Sequence, residues 1–144
     1  MAIGAVLFHG SYLTVYQPSI ETMFSKGYGE AIQFSLSLNK DKYYLPSQSQ
    51  VNGSHVLALF YIQPDAHELV ETGIYINPGA EFQYLSSFEE EGSQFIFTNP
   101  SMNQTIASNE VFMVQSSWSD YFTDVSLRQE VFGQFTVYYI SSLL

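Results

Sequence analysis

The chain has 144 residues, with four Lys or Arg against fourteen Asp or Glu and a net charge of −10. Hydrophobic residues make up 46%, which argues against disorder, and so few cations exclude phosphate neutralisation, and with it nucleic-acid binding, as a main role. The same charge argument disfavours an anionic membrane surface, and the absence of Cys removes disulfides, thiolate zinc sites and a cysteine nucleophile.

Met1 to Phe8 is apolar but lacks a basic lead and meets Gly10-Ser11 early, so neither a signal peptide nor a membrane span is expected there. Before Glu21 there is no Asp, Glu, Lys or Arg. Such a lead either pairs into the domain's own sheet around Gly10-Ser11 or docks on a partner. The candidate docking residues in it are Val6, Phe8, Tyr12, Leu13, Val15 and Tyr16, within a segment spanning 1–20.

Period-two alternation then dominates. Ser11 to Gln17 reads as a strand, and Ile20 to Lys26 as a single helical turn. Ala31 to Leu38 places Ile32, Phe34, Leu36 and Leu38 opposite Gln33, Ser35 and Ser37, the pattern of a half-buried strand. Val56 to Ile62 is a continuous apolar run, as in a strand covered on both faces. Leu69 to Ile76 and Glu81 to Leu85 are weaker strands around the turn Asn77-Pro78-Gly79. Phe95 to Thr98, Val111 to Trp118 and Val131 to Ile140 complete the set, with Asp120 to Arg128 as a second short helical stretch. Further turns fall at Lys26 to Gly29, Asn39 to Lys42, Asn52-Gly53, Gln63-Pro64-Asp65, Glu91-Gly92 and Asn99-Pro100. The expectation is an all-β chain. It is a single antiparallel β-sandwich, immunoglobulin-like or jelly-roll-like, of roughly seven to nine strands in one domain over 1–144.

Chemistry is sparse. Asp65, His67 and Glu68 invite a metal reading, but no second cluster supplies further ligands, and a polar hairpin loop explains them. Glu89-Glu90-Glu91 reads as a solvated hairpin tip pointing outward. No Gly-x-Ser-x-Gly elbow and no phosphate loop occurs. No catalytic residue, metal or cofactor is expected. Trp118 and Tyr121 are the sugar-stacking candidates of a carbohydrate-binding alternative, although Phe and Tyr also serve as ordinary core and interface residues. A lipocalin-type ligand barrel is a third reading.

The succession of these segments resembles the immunoglobulin-like sandwich of phage baseplate upper proteins and of head-fibre and capsid-decoration proteins. The resemblance covers about residues 24–62 and 94–141. It rests on Lys26 to Gly29, Ala31 to Leu38, Asn39 to Lys42, Tyr44-Leu45 and Val56 to Ile62, then Phe95 to Thr98, Val111 to Ser117 and Gln134 to Ile140. It departs from that pattern at Tyr28-Gly29-Glu30, where an acidic turn residue is usual, and residues 69–91 and the charge-free first twenty residues exceed it. The resemblance implies a non-enzymatic virion protein, made in the host cytoplasm. It would act by self-association, as a homotrimer, and by docking on other virion proteins. The low-Lys, aromatic-rich composition suits large interfaces, and the acidic half would face solvent.

Overall fold

The computed structural model describes residues 27–76 and 84–141. In chain order these form α1 (Tyr28–Ser37), β1 (Lys42–Pro46), α2 (Ser54–Ile62), α3 (Ala66–Thr72), β2 (Ile74–Ile76), β3 (Tyr84–Glu90) and β4 (Ser93–Thr98). β5 (Glu110–Gln115), a 3-10 helix (Ser116–Tyr121), β6 (Arg128–Phe132) and β7 (Phe135–Tyr139) follow. The seven strands make one sheet in the order β2-β3-β4-β1-β5-β7-β6.

The chain is therefore sheet-rich, as expected, but the sheet is mixed. β1 runs parallel to both neighbours, with Tyr43 opposite Phe95 on one side and Val111 on the other. Every other pairing is antiparallel. The expected all-antiparallel pairing is thus corrected: among the described residues the strands form one mixed sheet rather than two packed antiparallel ones.

Two expected strands are helices, and the reasons are local. In α1 the buried residues are Tyr28, Gly29, Ala31, Ile32 and Ser35, a spacing of three and four. The alternation of Ile32, Phe34, Leu36 and Leu38 hides that stripe, because Ala31 and Ser35 are small enough to lie inside. The Ser35 hydroxyl returns to the Ala31 carbonyl at 2.8 Å, which satisfies it within the helix. α1 starts at Gly27, whose φ is 98°, and a Cβ there would lie 2.0 Å from the Phe132 carbonyl oxygen. Only glycine fits that approach.

The apolar run Val56 to Ile62 belongs to α2, entered through Gly53 at φ 75° and left through Gln63 at φ 52°. An apolar run of this length does not by itself separate a strand from a packed helix. Leu69 to Ile76 divides likewise into α3 and β2. Asp65 caps α3, accepting from the His67 and Glu68 backbone N–H groups at 2.8 and 3.2 Å.

Val111 to Trp118 holds as β5 up to Gln115 and then tightens into the 3-10 helix, the one helical part of the expected Asp120 to Arg128 stretch. Val131 to Ile140 folds back at Gly133-Gln134, so that Phe132 pairs with Phe135. Glu91-Gly92 is a two-residue hairpin turn with both φ values positive, joining β3 to β4. The Ser11 to Gln17 strand and the Ile20 to Lys26 turn lie outside the described residues.

Both faces of the sheet carry apolar packing. The helices cover one face, where Tyr28, Ile32 and Ala58 join Tyr43, Leu45, Phe88, Phe95, Val111, Met113, Phe135 and Val137. On the other face Phe112, Val114, Tyr138 and Ile106 form a second cluster with Tyr44, Trp118, Phe122 and Leu127. β5 alternates between the two, which is why its sequence is apolar throughout.

Candidate binding site at the carboxyl end of the sheet

Because β1 is parallel to β4 and β5, the carboxyl ends of these three strands lie together. Open sheets with parallel centres gather their ligand sites at such ends, where neighbouring strands connect to opposite sides. The turns leaving Pro46, Thr98 and Gln115 are polar, and one side chain ties them. Gln50, buried, donates through Nε2 to Asn99 Oδ1 at 2.9 Å and to the Thr98 carbonyl at 3.3 Å. Its Oε1 accepts from the Gln115 N–H at 3.0 Å. Ser47 and Ser49 donate to the same Asn99 Oδ1 at 2.6 and 3.2 Å. Gln48 spans the turn, donating to Asn52 and accepting from the Gly53 N–H. The polar groups of the rim thus satisfy one another.

Beside it opens a cleft of about 220 Å³ lined by Ser47, Gln48, Ser49, His55, Ile76, Tyr84, Leu85 and Phe97. His55 stands edge-on to Tyr84 and Phe97, with ring centroids 5.8 and 6.5 Å away. Burial lowers the His55 pKa, so the ring is neutral at pH 7, with one donor and one acceptor nitrogen. His55 directly precedes the apolar run Val56 to Ile62 that was expected as a strand, and it lies in the first turn of α2. Its one legible signal was the preceding Asn52-Gly53, which is a helix entrance here.

A larger cleft of about 570 Å³ lies at the amino end, among Asn39, Lys40, Asp41, Gln63, Glu90, Glu91 and Ser93. Lys40 is committed, its ammonium donating to the Ser108 carbonyl at 2.6 Å and to that of Ile140 at 3.3 Å. Glu90 accepts from the Asp65 N–H at 2.9 Å. Its pKa is raised by partial desolvation and by the neighbouring Glu68 and Glu91.

The other expected site residues are placed as follows. Asp65 is a cap, Glu68 accepts from the Glu91 N–H at 3.1 Å, and His67 pairs with Glu71 at 3.5 Å, so each has a structural task. Among the described residues no three His, Asp or Glu gather as metal ligands. Glu89 and Glu91 are exposed at the hairpin tip. Trp118 and Tyr121 are brought together by the 3-10 helix, with centroids 5.1 Å apart and planes 36° apart. Both are half-buried, and Trp118 leans on the second apolar cluster. Val6, Phe8, Tyr12, Leu13, Val15 and Tyr16 lie outside the described residues.

Sequence reading missed one surface. Val70, Ile74, Tyr75 and Ile76 are 81, 61, 42 and 50% exposed, half of the exposed large apolar side chains among the described residues. Three of them form β2, the last strand at one end of the sheet among the described residues. The opposite end, β6, carries Arg128 and Glu130, the kind of charge that discourages strand pairing. β2 carries none.

No family model, curated protein or solved structure matches the chain. None of the described helices is long and apolar enough to cross a membrane.

Proposed function

We propose that the chain is a non-enzymatic assembly protein that self-associates by strand pairing along β2. The observation that carries this reading is the uncharged, exposed Ile74-Tyr75-Ile76 strand, which ends the sheet among the described residues. An apolar strand of this kind is a liability in a monomer and a template for another strand in an assembly. A second copy supplies the same edge, so an antiparallel β2–β2 contact would be self-complementary.

A virion is the setting that the low-Lys, aromatic-rich composition suits, with other virion proteins as further partners. The composition carries that setting alone, since the Ala31 to Leu38 and Val56 to Ile62 segments of the sandwich resemblance are helices. The sugar-binding reading gains no support from Trp118, whose ring is engaged by Tyr121 and the apolar cluster beneath it.

Light scattering on the purified chain tests the proposal. The wild type should run as a discrete oligomer. Ile74→Lys/Ile76→Lys should run as a monomer with an unchanged circular dichroism spectrum. Association should also strengthen as salt screens the net charge of −10. A wild-type monomer at all salt concentrations, or a double variant with unaltered mass, overturns the reading.

A further inference from the structure

The cleft at the carboxyl end, which shares Ile76 with β2, has a size and a chemistry that narrow its occupant. Its volume, about 220 Å³, exceeds the roughly 150 Å³ of apolar cavity that holds a benzene. It falls below the roughly 300–1,000 Å³ of sites for drug-sized ligands. One substituted ring fits.

The walls are Ile76, Leu85 and Phe97, with the rings of Tyr84 and His55. Aromatic walls favour an aromatic occupant through edge-to-face contact. The polar groups of the rim are already spent: Ser47 and Ser49 on Asn99, and Gln48 on Asn52 and Gly53. Of the lining side chains, only those of His55 and Tyr84 carry polar atoms without a hydrogen bond among the described residues. They adjoin one another. A ligand group that both donates and accepts would match a neutral imidazole beside a phenol, whereas a carboxylate would find no fixed cation.

The geometry points to a binding site for a single phenol-type ring, its body against Phe97 and Leu85 and its hydroxyl shared between His55 and Tyr84. A free phenol and a tyrosine side chain present the same chemistry.

Titration of the full chain with p-cresol, followed by backbone amide NMR, tests the assignment. Saturable shifts are expected at His55, Tyr84 and Phe97, with a dissociation constant on the order of 1 mM for so small a ligand. Toluene, which lacks the hydroxyl, should bind about fivefold to tenfold more weakly. His55→Phe should abolish that difference while leaving toluene bound, and Tyr84→Phe should reduce it, with circular dichroism reporting the fold of each variant. N-acetyl-tyrosinamide binding as tightly as p-cresol assigns the site to a tyrosine side chain, and its exclusion assigns it to a free phenol. Equal wild-type affinity for toluene and p-cresol, or no saturation by about 20 mM, overturns the proposal.

Discussion

Replacing Gln50 with Leu probes the joint on which the carboxyl-end site depends. The two side chains are similar in size, so the change removes hydrogen bonds with little change in volume. Three bonds are lost: to Asn99 Oδ1, to the Thr98 carbonyl and from the Gln115 N–H. Asn99 keeps Ser47 and Ser49 as donors, whereas the Thr98 carbonyl and the Gln115 N–H lose this partner. At about 0.5–1.5 kcal/mol for each bond, the cost is about 2–4 kcal/mol, or a fall of about 8–15 °C in Tm for a domain of this size. Urea unfolding followed by circular dichroism measures it, with exposed Gln129→Leu as the control expected to stay within about 0.5 kcal/mol. A Gln50→Leu midpoint indistinguishable from that control would refute the claim that this side chain ties the three strand ends.

Other perturbations have equally definite signs. Gly27→Ala should cost about 3 kcal/mol or more, because φ is 98° and the new Cβ meets the Phe132 carbonyl, whereas Gly53→Ala, in open space at φ 75°, should cost about 1 kcal/mol. Thermal unfolding of the two variants separates them. Asp65→Ala should lose about 1 kcal/mol through the cap of α3, again read by urea unfolding. Because burial lowers the His55 pKa below its unfolded value, the neutral ring contributes stability that is complete above about pH 6.5 and declines as pH falls towards the folded pKa. Unfolding midpoints measured between pH 8 and pH 5 should therefore show the wild type losing stability relative to His55→Phe as the medium becomes more acidic.

How much of this was legible in the sequence varied from element to element. Phe95 to Thr98 and the start of Val111 to Trp118 announced themselves because their strands are apolar on faces that both pack. Glu91-Gly92 was readable as a turn through Gly92, which takes a positive φ without strain, after the polar Glu89-Glu90-Glu91 run. α1 was not readable by alternation. Its inner stripe runs through Ala31 and Ser35, while Phe34, Leu36 and Leu38 remain half-buried at its flanks. α2 was concealed by its apolar run and α3 by its shortness, with no buried stripe to mark it, although Gly53 and Pro64-Asp65 stand at the positions where these helices begin.

The parallel centre of the sheet was beyond reach, because nothing in Lys42–Pro46 states which strands lie beside it. The carboxyl-end site follows from that topology. Its residues come from β2, β3, β4, the β1–α2 turn and α2, and no spacing in the chain links His55 to Tyr84 or Gln50 to Gln115. β2 was read as a strand within Leu69 to Ile76, but its exposure came from its place at the end of the sheet.

Amide hydrogen exchange at rising protein concentration tests the β2 pairing most directly. The account predicts that protection over Ile74–Ile76 increases with concentration while that over Arg128–Phe132 at the opposite edge stays constant. Exchange at Ile74–Ile76 that is independent of concentration, or protection that grows at Arg128–Phe132 instead, would contradict it.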